Sequence, residues 1–108
     1  MEVTIDFTKI NNWDDFHSQF SQVMGFPGFY GKNMNAWIDC MSYIDDPESG
    51  MSEITIKQNQ SLNILVAGTE KAFETCPEII KEFFICTSFV NKRFIESESK
   101  TRLNITTI

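Results

Sequence analysis

The stretch Phe26-Pro27-Gly28-Phe29-Tyr30-Gly31-Lys32-Asn33-Met34-Asn35-Ala36-Trp37-Ile38-Asp39-Cys40-Met41 changes character in its middle. Its first half reads as a loop, because Gly and Pro interrupt any regular pattern. From Asn33 onward the pattern is helical. Met34, Trp37, Ile38, Met41 and Ile44 fall at i, i+3, i+4, i+7 and i+10 and make one apolar face. Pro47 and Gly50 are expected to end this helix. Asn35, Asp39, Ser42 and Asp46 fall at i, i+4, i+7 and i+11, a polar stripe opposite the apolar face.

On the N-terminal side, Val3, Ile5 and Phe7 alternate with Glu2, Thr4 and Asp6, the period of a strand with one buried face. Asn11 and Asn12 offer a helix cap, and Asp14 and Asp15 lie in the first turn, where the helix dipole favours acids. Trp13, Phe16, Phe20, Val23 and Met24 follow at helical spacing until Gly25 and Pro27 stop the helix.

On the C-terminal side, Ile54 and Ile56 alternate with Glu53, Thr55 and Lys57. This predicts a strand over about 53–57 that forms a hairpin with Leu62–Val66. Gly68-Thr69 leads into a short helix through Phe73. Thr75 and Glu78 have capping-box spacing, with Pro77 in the first turn of a long helix that runs towards Ile95. Leu103 and Ile105 mark a last strand. The order β-α-α-β-β-α-α-β predicts a small α/β domain over 1–108, with right-handed crossovers wherever strands are parallel.

The 108 residues are 42% hydrophobic with ten Phe, enough for one packed core. The formal net charge of -6 opposes nucleic-acid and anionic-membrane partners, whose affinity comes from Lys and Arg, and favours a basic protein partner. Cys40, Cys76 and Cys86 are odd in number and lack a C-x-x-C spacing, so neither a disulfide framework nor a metal site is signalled. No segment reads as a signal peptide or a membrane span, so a cytoplasmic chain with reduced thiols is expected.

The segment from Phe26 to Glu53 concentrates acid. It holds Asp39, Asp45, Asp46, Glu48 and Glu53, and its only base is Lys32. The acids have no basic partner four residues away on the helix, so local ion pairing does not account for them. Phe29 and Tyr30 lie at the same end of the helix, and aromatics beside charges suit interface anchors. The plainer reading of such a stripe is a solvated helix face.

Residues 26–41 closely resemble the signature of the barstar family, inhibitors of barnase-type ribonucleases. Tyr30-Gly31, Asn33, Ala36 and Asp39-Cys40 agree with it at fixed spacing. The resemblance implies a small parallel three-strand sheet covered by helices, to which the strand over about 53–57 would be an addition. It implies that the second helix and the preceding loop enter the active-site cleft of a basic ribonuclease. Carboxylates there take the place of substrate phosphates against Arg, Lys and His. The family's dominant acid falls on Asp39. Its acid four residues earlier is Asn35 here, its first loop aromatic is Phe29 rather than Tyr, and its following Trp is absent, with Tyr43 and Ile44 in that place. Asp45, Asp46 and Glu48 are positioned to restore the missing charge. Beyond residue 50 the resemblance fades, as in a divergent branch.

The expectation is therefore an inhibitor or immunity protein, not an enzyme, that occludes a basic ribonuclease. The predicted contact residues are Phe29, Tyr30, Asn33, Asn35, Ile38, Asp39, Ser42, Tyr43 and Asp46, with no cofactor and no metal. The alternative is the same scaffold binding another basic protein, and a remote third is a small hydrolase using Asp45 or Asp46. His17, the only His, reads as a partly exposed structural residue without a nucleophile or base to work with. Gly25, Gly28 and Gly31 read as turn residues, and Cys40 as a core thiol.

Overall fold

The computed structural model describes residues 1–108. Strand β1 (Glu2–Asp6) leads through a 3-10 turn at Phe7–Lys9 into helix α1 (Trp13–Met24). Helix α2 (Met34–Ser42) and a second 3-10 turn at Pro47–Ser49 precede strand β2 (Ser61–Ala67). Helices α3 (Thr69–Thr75) and α4 (Pro77–Glu96) then lead to strand β3 (Arg102–Thr107).

The strands form one parallel sheet in the order β1-β2-β3. Parallel neighbours need long crossovers. Helices α1 and α2 supply the first, and α3 and α4 the second. Val3 pairs with Ile64, Ile5 with Val66 and Leu62 with Leu103, so the buried side chains form rows on one face. The opposite face carries Thr4, Leu65 and Thr106 in register and is open or half-buried. The helices therefore cover a single face of the sheet.

The strand predicted over 53–57 does not form. Strand β2 is central and both its edges are already paired, so no edge remains for a hairpin. The segment's N–H groups go instead to carbonyls left unpaired where helices end. Glu53 N donates to Met24 O at 3.0 Å, Ile54 N to Met24 O at 3.0 Å, and Ile56 N to Ile44 O at 2.9 Å. Ile56 is buried, and Ile54 packs against the core from a partly buried position. The predicted Thr75–Glu78 capping box is also absent. Thr75 Oγ1 donates back to Lys71 O at 2.9 Å, and Cys76 stands at the cap without a side-chain bond to the helix's own N–H groups.

Local signals fix the elements that carry the site. Asn12 Oδ1 accepts from Asp15 N at 2.8 Å and caps α1. Gly25 closes α1 in the left-handed region at φ 69°, where a Cβ would stand 2.6 Å from Glu53 Cβ, so no other residue fits. Gly28 has neither constraint: a Cβ there would meet nothing within 4 Å.

An aromatic cluster sets α2 over the rest of the core. Phe16 and Phe20 are 4.8 Å apart, Trp37 meets Phe20 edge-on at 5.5 Å, and Phe83 of α4 lies 6.0 Å from Trp37. Trp37 is fully buried and its Nε1 has no hydrogen-bond partner. Burying ~200 Å² of indole contributes roughly 5 kcal/mol, which outweighs roughly 1–3 kcal/mol for the unpaired N–H. Cys40, Cys76 and Cys86 are buried free thiols.

Candidate functional site

Helix α2 begins where the sequence places it. Asn33 Oδ1 accepts from Ala36 N at 2.8 Å, and Asn33 Nδ2 donates to Gly31 O at 3.3 Å. Asn33 thus joins the loop to the helix. The helix ends earlier than predicted, at Ser42. Tyr43 N bonds to Cys40 O and Asp46 N to Tyr43 O, the tight three-residue spacing that winds a helix down. Asp46 therefore leaves the stripe. Asn35, Asp39 and Ser42 remain on α2, while Tyr43 and Asp46 belong to the segment after it.

In the preceding loop, Tyr30 N donates to Pro27 O at 2.9 Å and closes a turn that presents Phe29 to solvent at 75% exposure. Tyr30 turns inward instead. Its ring lies 4.7 Å from Phe26, and its Oη shares a 2.6 Å hydrogen bond with His17 Nδ1. His17 is buried at 3% exposure, not partly exposed as predicted, and stacks on Trp13 at 5.8 Å. Burial holds the imidazole below its usual pKa, helped by Lys32 and opposed by Asp14. Burial, with a smaller effect from Cys40, raises the Tyr30 phenol well above its usual value. A neutral His–Tyr pair thus fastens the loop to α1.

Asp39 is exposed, yet it has a partner that local sequence does not reveal. Arg93 of α4 reaches across, with Nη1 3.2 Å from Asp39 Oδ1 and 3.4 Å from Ser42 Oγ. The guanidinium carbon stands 5.2 Å from the centre of the Phe89 ring, a cation–π contact. Ser42 Oγ donates to Ile38 O at 2.6 Å, which turns its lone pairs towards Arg93. Ile38 is partly buried against the core. Cys40, next to Asp39, is pushed up to about 11 by burial and by that carboxylate, so it stays a thiol.

Beyond the end of α2 a polar cleft of about 460 Å³ opens, with Tyr43, Asp45, Asp46, Asn59, Phe94 and Glu98 among its walls. Asp45 Oδ2 accepts from the buried Thr101 Oγ1 at 2.8 Å, so it supports the wall, and Asp46 is exposed. No group of three His, Cys, Asp or Glu side chains converges to hold a metal ion. Sequence reasoning missed Arg93 and Phe89 of α4 and Glu98 just past its end. The helix was legible, but its placement beside α2 was not.

The architecture is that of a small α/β module with an amphipathic helix and a braced aromatic loop on its surface. The family model for Barstar (barnase inhibitor) matches residues 1–102, and the chain belongs to this family. The match runs well past residue 50, where resemblance of individual residues fades. The family consists of ribonuclease inhibitors rather than enzymes, so the chain carries a ribonuclease-inhibitor scaffold. No curated protein matches the chain. No helix is long and apolar enough to cross a membrane.

Proposed function

We propose that the chain binds a basic ribonuclease and occludes its active site with α2 and the loop before it. Asp39 and Ser42 supply the observation that carries this reading. They already accept a guanidinium, that of Arg93, at 3.2 and 3.4 Å. The same two groups suit an Arg or Lys from a phosphate-binding cleft.

The contact residues have different parts in this reading. Phe29, Asn35, Asp39, Tyr43 and Asp46 are exposed and meet the partner directly. Tyr30 and Asn33 hold the loop and the start of α2, and Ile38 and Ser42 set the floor beneath Asp39. The acidic surface speeds encounter with a basic partner. Ion pairs that become dry on binding then slow dissociation. An interface of roughly 1,600 Å² in total is sufficient.

The test is suppression of RNA cleavage by a small basic ribonuclease such as barnase, at equimolar ratio. Asp39→Ala is expected to weaken binding at least ~30-fold, the effect of an interface hot spot, with the fold intact. Equal binding by Asp39→Ala and wild type would exclude α2 as the contact surface. Two observations favour a second reading, a basic partner that is not a nuclease: Asn35 leaves a gap in the charge, and Arg93 covers Asp39. Tight binding of such a protein with RNA cleavage left unaffected would establish it.

A further inference from the structure

The cation over Asp39 comes from the chain itself, and this has consequences for which partners the face accepts. Arg93 sits in the last turn of α4, with its guanidinium between the Asp39 carboxylate, the Ser42 hydroxyl and the Phe89 ring. Asp39 is the only carboxylate on the stripe within α2, because Asn35 and Ser42 are neutral. Pairing with Arg93 brings the local charge there to zero. The face is therefore electrostatically quieter than its sequence suggests.

We infer that Arg93 is a specificity-determining residue, an internal guanidinium that a partner's cation must displace from Asp39. The inference rests on the reading of α2 as the contact surface. Two features make Arg93 displaceable. The side chains of Arg93 and Asp39 are 44% and 57% exposed, so water screens the pair and holds it weakly. The Phe89 ring gives the guanidinium a second place to rest once Asp39 is taken. Displacing it costs a partner no more than about five-fold in affinity.

The displaced guanidinium remains beside the contact as a like charge. It penalises a ligand that offers only cations. It rewards a protein that brings a carboxylate next to its Arg or Lys, because that carboxylate receives Arg93. Arg93 thus narrows the partners of the face from any basic surface to one with a mixed charge pattern.

The experiment uses barnase as the basic probe, with rates and affinities measured at low and at high salt. The proteins are wild type, Arg93→Gln, Arg93→Lys, Asp39→Asn and the double variant Arg93→Gln/Asp39→Asn. Arg93→Gln is expected to bind about 3- to 10-fold tighter than wild type, mostly through faster association, with the gain shrinking as salt rises. Arg93→Lys falls between the two. In the Asp39→Asn background the gain from Arg93→Gln drops to about two-fold, since no carboxylate is left to uncover.

A merely structural role for Arg93 would not produce a salt-dependent gain in association rate. The inference alone is overturned if Asp39→Asn weakens binding while Arg93→Gln, with an unchanged melting temperature, binds equally or more weakly. Equal binding by Asp39→Asn and wild type overturns the contact-surface reading and the inference with it. Failure of both wild type and Arg93→Gln to bind at micromolar concentration overturns the inference, because uncovering Asp39 then gains nothing.

Discussion

Replacing Tyr30 by Phe removes one oxygen and tests what holds the loop. In the native chain that oxygen lies 2.6 Å from Nδ1 of a His17 that is 3% exposed. The aromatic ring, its 4.7 Å contact with Phe26 and its partial burial all survive the substitution. What is lost is one neutral hydrogen bond, worth about 1 kcal/mol, together with the cost of a buried imidazole nitrogen left without it. The expected destabilisation is about 1–2 kcal/mol, or roughly 4–8 °C in melting temperature for a chain of this size. Urea unfolding followed by Trp fluorescence measures it, with the slope unchanged and only the midpoint moved. The binding readout should follow in the same direction, because a loosened loop positions Phe29 less well. A loss of stability below about 0.3 kcal/mol would refute the view that the pair braces the loop.

The same pair gives stability a pH dependence of known sign. Burial lowers the His17 pKa from 6.5, so the unfolded chain takes up the proton before the folded one does. The His17 contribution is fully present above pH 6.5 and is lost as pH falls through the lower folded-state value. Wild-type stability should therefore decline as pH falls below about 6.5, before the range where most carboxylates titrate is reached. A rise in stability over that fall in pH would contradict a buried neutral imidazole.

Two further substitutions probe the ends of the helices that frame the site. Asn33→Ala removes the cap whose Oδ1 holds Ala36 N at 2.8 Å and should cost about 1 kcal/mol in chemical denaturation. It should also weaken partner binding more than its stability cost alone explains. Glu98→Gly should do the opposite and stabilise. Glu98 sits just past α4 at φ 61°, while Glu98 N bonds to Ile95 O and Ser99 N to Phe94 O, the pattern that favours glycine at this position. Relieving that strain should add about 0.5–1 kcal/mol, or roughly 2–4 °C by calorimetry, and a lower melting temperature would show that the Glu98 carboxylate compensates.

Caps and periodicity made much of this molecule legible in the sequence. Asn12 and Gly25 act where they were read, α2 starts after Asn33 as its pattern predicts, and the alternation of Val3 and Ile5 gives β1. The strand at 53–57 failed because alternating Ile54 and Ile56 say only that one side packs inward. They do not say whether a sheet edge is free to receive them. The extension of α2 to Asp46 failed because Ile44 stays buried after the helix has ended, so the apolar period outlasts the helix. His17 was readable after all. Trp13, Phe16, Phe20 and Met24 place it at i+4 within their own apolar stripe. Arg93 was not readable, since it meets Asp39 across 54 positions of sequence, and i,i+4 reasoning sees only neighbours on one helix.

The three buried thiols turn the protein into its own reporter of local opening. Cys40 lies in α2, Cys76 at the start of α4 and Cys86 near its middle, at 2%, 7% and 3% exposure. None can meet an alkylating reagent unless its surroundings open. Burial also pushes the Cys40 and Cys86 thiols up to about 11, which keeps the reactive thiolate scarce. Labelling rates at the three positions therefore rank the opening free energies of separate parts of the chain under native conditions. A partner that clamps α2 should slow Cys40 most.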